Sequence, residues 1–125
     1  MAYVSPRRLA LALLVAAGAA AAAPLAACPP QQGRALLDSA TVFDGEPEKK
    51  LELQPNFANL EWDLSADQQE ARARGEAIHL VCKYKSSKSI VTIRLAYEAT
   101  LCKAEGIKHR TVVSCSAAPK TPTKE

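Results

Sequence analysis

The sequence is poor in aromatic residues, glycine and histidine. Aromatic residues make up 5% of its 125 residues, with a single tryptophan, and there are five glycines and two histidines. It contains no glycine-rich phosphate-binding loop and no HExxH metal motif. Since a chain of this length supports one small core, a large multidomain enzyme and a nucleotide-binding α/β fold are excluded.

Long apolar runs are absent beyond the first 27 residues. Arg7 and Arg8 precede an apolar run over residues 9–23, and small residues follow it. This pattern is typical of a secretory signal peptide, and the run is too short to span a bilayer as a mature helix. The sequence therefore predicts a signal peptide at 1–27, an exported domain at 28–116 and a disordered polar tail at 117–125.

The end of the signal segment has two interpretations. Cleavage after Ala22 leaves Cys28 free to form a disulfide, in a periplasmic or secreted protein. The alternative is cleavage before Cys28, because Leu25-Ala26-Ala27-Cys28 fits the pattern of bacterial lipoproteins. Cys28 would then carry a lipid, and the protein would contact the membrane only through that anchor.

The four cysteines, Cys28, Cys82, Cys102 and Cys115, include no CxxC pair, and their successive spacings are 54, 20 and 13 residues. These spacings do not fit a zinc site, and no metal or other cofactor is expected. Four cysteines in a small exported domain instead predict two disulfides, for which three pairings exist. A hairpin about residues 105–110 would set Cys102 opposite Cys115 and leave Cys28 for Cys82.

Short runs of alternating apolar and polar residues dominate the rest of the chain. Strands are predicted at 35–43, 51–53, 60–64, 77–84, 89–95, 100–103 and 111–115, joined by short connections that favour antiparallel neighbours. Leu60, Trp62 and Leu64 fall on one side of their strand, so Trp62 is expected to be the main core anchor. The predicted fold is mainly β, a small antiparallel sheet or compact β-sandwich of about five to seven short strands stapled by two disulfides.

One helix start interrupts the strand pattern. Ser65 and Gln68 have the spacing of a capping box, in which Ser65 accepts from the Gln68 backbone and the Gln68 side chain reaches back. Gly75 supplies a stop. Because few apolar residues lie between them, we expect a short surface helix or a mobile loop.

Charge changes sign along the chain. Residues 28–76 carry five Lys or Arg against ten Asp or Glu, whereas residues 77–125 carry nine against three. The two halves either attract each other within one fold or provide a basic face for an acidic partner. Nucleic acid is not an expected partner, because the chain has no Arg-rich run and no interleaved aromatics.

Candidate catalytic groups are few. The two histidines, His79 and His109, are interpreted as ordinary solvent-facing or partly packed side chains, since no nucleophile and orienting group accompany them. Glu61 and Asp63 share one face of a strand, but such pairs are common on exposed faces and do not establish glycosidase chemistry. The protein is therefore not expected to be an enzyme.

An ordered set of short elements runs from Cys28-Pro29 through Phe43-Asp44-Gly45-Glu46-Pro47, Trp62-Asp63-Leu64 and Cys82-Lys83-Tyr84 to Cys102 and Cys115. With this set the chain resembles a family of small exported Gram-negative bacterial proteins of uncharacterised function. The resemblance implies an exported, cystine-containing β domain and transfers no catalytic residue.

The leading functional hypothesis is a non-catalytic protein-binding module of inhibitor, immunity or adaptor type. A rigid cystine-stapled scaffold with variable loops loses little entropy when it docks on a partner. Its expected partner is another envelope protein or an incoming protein. The alternative is a lipid-anchored or structural envelope component, and an enzyme ranks third.

Overall fold

The computed structural model describes residues 23–118. Most of the predicted signal segment, at 1–22, and of the predicted polar tail, at 119–125, lies outside the described residues. The elements are β1 Ala26–Ala27, β2 Gln31–Gln32, β3 Ala35–Asp44, a 3-10 helix Pro47–Lys49, β4 Glu52–Leu53, β5 Glu61–Asp63, α1 Ser65–Arg74, β6 Ile78–Tyr84, β7 Ile90–Arg94, β8 Leu101–Ile107 and β9 Arg110–Ser116.

The nine strands of residues 23–118 form two antiparallel sheets. The first has the order β1-β9-β8-β5, and the second has the order β2-β3-β6-β7, with β4 also paired to β3. The predicted mainly β class is therefore confirmed. The strand number exceeds the expected range because β1 and β2, each only two residues long, leave no alternating pattern in the sequence, whereas β4 lies within the strand predicted at 51–53.

One apolar cluster joins residues from both sheets. Its largest fully buried side chains include Leu64, Ile78, Leu80 and Val42, and Val113 contributes from the first sheet. Because neither sheet has enough apolar area to form a core alone, each sheet depends on the other for burial.

Two disulfides complete this core. Cys28, just after β1, is bonded to Cys82 in β6, so this bridge connects the two sheets. Cys102 and Cys115 face each other directly across β8 and β9 and form the second bridge. This is the connectivity that a β8–β9 hairpin implies, and no cysteine is free.

The β8–β9 turn lies within the hairpin predicted about residues 105–110 but is shorter than that range. Gly106 lies within β8 and pairs with Thr111. The turn consists of Lys108 and His109, both with positive φ, 50° and 65°. Asn and Gly are the residues that usually mark such a turn, so the sequence placed the hairpin but did not identify its two turn residues.

Helix α1 begins without the expected capping box. The backbone N–H and hydroxyl of Ser65 donate to Asp63, and the Gln68 N–H donates to the Leu64 carbonyl. The Gln68 side chain turns inward instead of back along the chain, and it is only 3% exposed. The helix ends at Gly75, as predicted, with a φ of 71°.

Candidate binding surface

A groove of about 340 Å³ opens between the two sheets. The second sheet contributes residues 38–40 of β3 and Glu52 of β4, and the first contributes residues 104–106 of β8 and Thr111 of β9. The segment that leads from β4 into β5 completes the lining with Gln54, Pro55, Phe57, Leu60 and Trp62. We call this feature the inter-sheet groove.

One wall of the inter-sheet groove is an open strand edge. Along one edge β3 pairs with β6, and along the other it pairs with β2 at residues 35–36 and with β4 at residues 42–43. Within the described residues, no strand covers residues 38–41 on that second edge. The Asp44 N–H donates to the Leu51 carbonyl on this edge. Successive residues of a strand direct their N–H and C=O to opposite edges, so those of Ala40, four residues earlier, point out of this same edge.

A short hydrogen-bonded loop, residues 56–60, borders the groove. The Asn56 N–H donates to Glu61 O at 2.7 Å, and the Leu60 N–H donates to Asn56 O at 2.7 Å. The Asn56 side chain accepts from the Ala58 N–H, and Leu60 O accepts from the Ala104 N–H in β8. These bonds fix the loop to the first sheet.

The loop presents two large apolar side chains to solvent. Phe57 is 72% exposed and Leu60 is 43% exposed. Leu60 has a φ of 52°, a left-handed conformation that a bulky residue rarely adopts. The prediction that Leu60 shares the buried side of its strand with Trp62 and Leu64 is therefore wrong, because the backbone turns at Leu60 before β5 begins.

The buried side chain of Trp62 lines the bottom of the inter-sheet groove. It is only 5% exposed, and its indole N–H donates to the Leu53 carbonyl at 3.0 Å. This bond ties β5 of the first sheet to β4 of the second. The sole tryptophan lies in the core and also supports the exposed residues above it.

Among the described residues, every charged side chain that lines the groove is acidic. Asp38, Glu52 and Glu105 line it and are exposed, and no Lys, Arg or His is among the lining residues. None of the three carboxylates forms an ion pair with another residue of the part of the chain that the structure describes. The groove thus combines apolar side chains with uncompensated negative charge.

A separate ion-pair cluster joins the end of α1 to the turn after β3. Arg74 contacts Asp44 at 2.8 Å and Glu76 at 3.3 Å, and Lys49 contacts Glu76 at 3.3 Å. The hydrogen bond from Lys49, and to a smaller extent the one from Arg74, holds the pKa of Glu76 below its ordinary value of 4.5. This cluster fastens surface elements and lines no part of the groove.

The two histidines lie in different surroundings. His79 is buried, contrary to the expectation of a solvent-facing or partly packed side chain, and its Nδ1 lies 2.8 Å from the Gly45 carbonyl oxygen. Because a carbonyl only accepts, Nδ1 is the protonated nitrogen here. His109 lies in the exposed β8–β9 turn. No cysteine thiol is free to act with either ring.

The carboxylates Glu61 and Asp63 also have structural partners. Glu61 lies opposite Lys103 across β5 and β8, with 3.9 Å between the charged atoms. Asp63 accepts from the Ser65 N–H and hydroxyl, which together lower the pKa of Asp63. A glycosidase acid requires a raised pKa, so Asp63 has the opposite property.

Within residues 23–118, no helix is long and apolar enough to cross a membrane. The same residues contain no cluster of three or more His, Cys, Asp or Glu side chains arranged to hold a metal ion.

Sequence reasoning missed the inter-sheet groove. Phe57 lies in a polar segment after Pro55, so it gave no strand signal. Asp38, Glu52 and Glu105 are 14 and 53 residues apart along the chain, and only the packing of the two sheets brings them to one site. An apolar aromatic in an otherwise polar loop was the one available signal.

Comparison with known proteins identifies a family. A family model described as type VI secretion system Tli immunity protein matches residues 31–118, which include every strand from β2 to β9 and the whole groove lining. No curated protein and no solved structure matches the chain. The resemblance noted in the sequence implied no function, whereas this match supplies one. The chain belongs to the type VI secretion system Tli immunity protein family.

Proposed function

We propose that this protein is an exported immunity protein that binds one type VI effector in the periplasm and neutralises it. The family match over residues 31–118 carries this proposal. Immunity proteins act by binding a partner effector, so the partner is an incoming protein. Binding is favoured over catalysis because both disulfides, His79 and Asp63 have structural roles.

The disulfides support the periplasm as the site of action. Both bridges are buried in the core that holds the two sheets together. Disulfides of this kind form and persist in oxidising compartments such as the bacterial periplasm. A domain of this size gains a large share of its stability from them.

The test is neutralisation in living cells. Type VI effectors from the same source are expressed one at a time with a periplasmic signal, in a host that lacks this protein, with and without the full chain. We expect the full chain to restore growth against one effector, called below the cognate effector. The matched control lacks residues 2–22 and stays in the cytoplasm, where it should not protect.

Two results would contradict the proposal. If no effector is neutralised, the immunity role fails. If the cytoplasmic control protects as well as the full chain, the periplasmic site of action fails while the immunity role stands.

We also propose that the signal segment is cleaved after Ala22 and not before Cys28, so that the strand that begins after Leu25 stays on the mature protein. The Leu25 N–H donates to Cys115 O at 2.9 Å, and the Cys28 N–H donates to Val113 O at 3.0 Å, so β1 adds a strand to the first sheet. Lipidation of Cys28 would require removal of β1 and would prevent the bond to Cys82. Cleavage after Ala22 keeps both.

Intact mass of the protein purified from the periplasm tests this processing. We expect a chain that begins at Ala23 and is lighter by the hydrogens of two disulfides. A chain that begins at Cys28 and carries acyl groups would show instead that the lipoprotein alternative is right.

A further inference from the structure

We propose that the inter-sheet groove binds an extended segment of the cognate effector in which Lys or Arg side chains alternate with bulky apolar ones. This inference rests on the proposed function, because it assigns the surface and the chemistry of recognition within it. The segment lies along the open edge of β3.

The open edge is the first reason. On the edge of β3 that faces away from β6, residues 38–41 lie between β2 and β4, and no strand of the described residues pairs with them there. The Ala40 N–H and C=O point outward from this edge, because Ala40 lies four residues before Asp44, whose N–H donates to Leu51 on the same edge. Exposed backbone groups of this kind are the usual partners of an added extended segment.

The second reason is the pair of exposed side chains on the 56–60 loop. Phe57 and Leu60 face solvent beside the groove on a loop held by backbone bonds to Asn56 and Ala104. A loop already held in one conformation loses little entropy when a partner docks. Aromatic residues such as Phe are enriched at the buried centre of protein interfaces, where a neighbouring apolar side chain adds to the contact.

The left-handed backbone of Leu60 is a third, independent observation. A non-glycine residue in this conformation costs about 1–2 kcal/mol. Such outliers cluster at sites of function, where the surrounding structure maintains them. At Leu60 the conformation directs a leucine side chain outward, which would be unfavourable for the isolated domain and useful for contact with a partner.

Charge determines the chemistry of the segment. Asp38, Glu52 and Glu105 surround the apolar residues, and within residues 23–118 no basic side chain lines the groove. An acidic segment would place like charges together, whereas Lys or Arg side chains would compensate all three. Complementary rim charges accelerate association, and this acceleration decreases with salt.

The experiment measures affinity and association rate of the purified cognate effector against groove variants of the full, exported protein. We expect Phe57→Ser and Leu60→Asn each to weaken binding at least tenfold, mainly through faster dissociation. Asn tolerates the left-handed region, so Leu60→Asn should remain folded. The triple variant Asp38→Asn, Glu52→Gln, Glu105→Gln should slow association and lose most of its salt dependence.

Matched controls lie on other surfaces. Ile90 is as exposed as the groove side chains, at 57%, but lies on β7, and Glu70 and Glu98 are exposed acids away from the groove. Ile90→Ser and the pair Glu70→Gln, Glu98→Gln should bind the effector as the wild type does. Far-UV circular dichroism of every variant identifies any that fail to fold.

Photo-crosslinking then identifies the amino-acid sequence of the effector segment that contacts the groove. With p-benzoyl-phenylalanine in place of Phe57, the crosslinked effector peptide should contain Lys or Arg next to bulky apolar residues. The same amino acid in place of Ile90 should give no specific crosslink. A crosslinked peptide rich in Asp or Glu would overturn the assigned chemistry.

The outcomes separate the two levels of the proposal. If the wild type binds the effector and the groove variants bind equally well, the groove is not the docking surface, although the immunity role stands. If the wild type binds no effector, the proposed function fails, and the assigned surface fails with it.

Discussion

Gln68 shows how a single polar residue is accommodated in this small core. Its side-chain amide donates to the Ala96 and Ala99 carbonyls at 3.0 and 2.8 Å, so it connects α1 to the segment between β7 and β8. Its Oε1 is buried and accepts no hydrogen bond from the described residues. The residue expected to cap the helix therefore holds two separate chain segments together.

Replacing this side chain tests its contribution. In Gln68→Leu the Ala99 carbonyl loses its donor, whereas the Ala96 carbonyl keeps the hydrogen bond from the Ala99 N–H. A buried acceptor without a donor costs about 1–3 kcal/mol. We expect a loss of that size in the free energy of unfolding, measured by urea denaturation. Gln69→Leu, at the exposed neighbouring position, is the control and should remain close to the wild type.

Glu76 makes the stability depend on pH. Lys49 and Arg74 lower the pKa of Glu76 in the folded state, so the folded state binds this proton less readily than the unfolded state does. The stabilisation is therefore present above pH 4.5, the ordinary value, and is lost as the pH falls through the lower folded value.

The measurement is urea denaturation of wild type and Glu76→Gln between pH 7 and pH 3. We expect the variant to be less stable at pH 7, with a difference that disappears at the acidic end and decreases with added salt. Glu98→Gln, an exposed acid without an ion pair to any described residue, should show no such change. A difference between wild type and Glu76→Gln that grows at low pH would contradict the assignment.

Among the elements, the two disulfides have different tasks. Cys28–Cys82 closes 54 residues and connects the sheets, whereas Cys102–Cys115 closes 13 residues within one hairpin. Restriction of the unfolded chain favours the longer loop, with about 4 kcal/mol against about 3 kcal/mol. The bridge between the sheets is therefore expected to contribute more.

Paired serine variants test this order. Cys28→Ser with Cys82→Ser should lower the free energy of unfolding more than Cys102→Ser with Cys115→Ser does. Both are measured by urea denaturation without reductant. A larger loss from the hairpin bridge would indicate that strain or residual structure in the unfolded state outweighs chain entropy.

The strands that alternation predicts well are those with one buried face. β7 follows its prediction, because Val91, Ile93 and Leu95 turn inward. β6 does not, since His79 and Val81 on its second face are buried too, and a central strand covered on both sides loses the alternating pattern. Periodicity therefore located β6 but could not show the burial of its second face.

The inter-sheet groove could not be predicted from the sequence. It exists because β2 and β4 cover the two ends of one edge of β3 and leave its middle open. The strand predicted at 51–53 contains β4, but the two residues of β2 carry no periodic signal, so the gap between β2 and β4 could not be predicted. The outward turn at Leu60 was hidden for a similar reason, since a leucine gives no sign of a positive φ.

For the whole molecule, net charge contains little information about the partner. Residues 23–118 contain twelve Lys or Arg and twelve Asp or Glu. The sequence suggested a basic face for an acidic partner as one option, whereas the inter-sheet groove carries the opposite sign. Folding redistributes charges that are segregated along the chain, so the recognition chemistry must be read from the surface.

The interpretation as a protein-binding module of immunity type is confirmed by the family match. Composition and cysteine spacing led to this class by excluding nucleotide, metal and multidomain enzyme functions. They could not distinguish an immunity protein from an inhibitor or an adaptor, because these differ in their partners and not in their own chemistry.

The most direct test of neutralisation by binding is a titration of cognate effector activity with purified protein at effector concentrations well above the dissociation constant. A binding inhibitor abolishes activity at a fixed molar ratio, and residual activity below that ratio does not change with longer incubation. We predict this stoichiometric endpoint. Progressive loss of all effector activity with a small fraction of one equivalent would show catalytic turnover and would contradict the account.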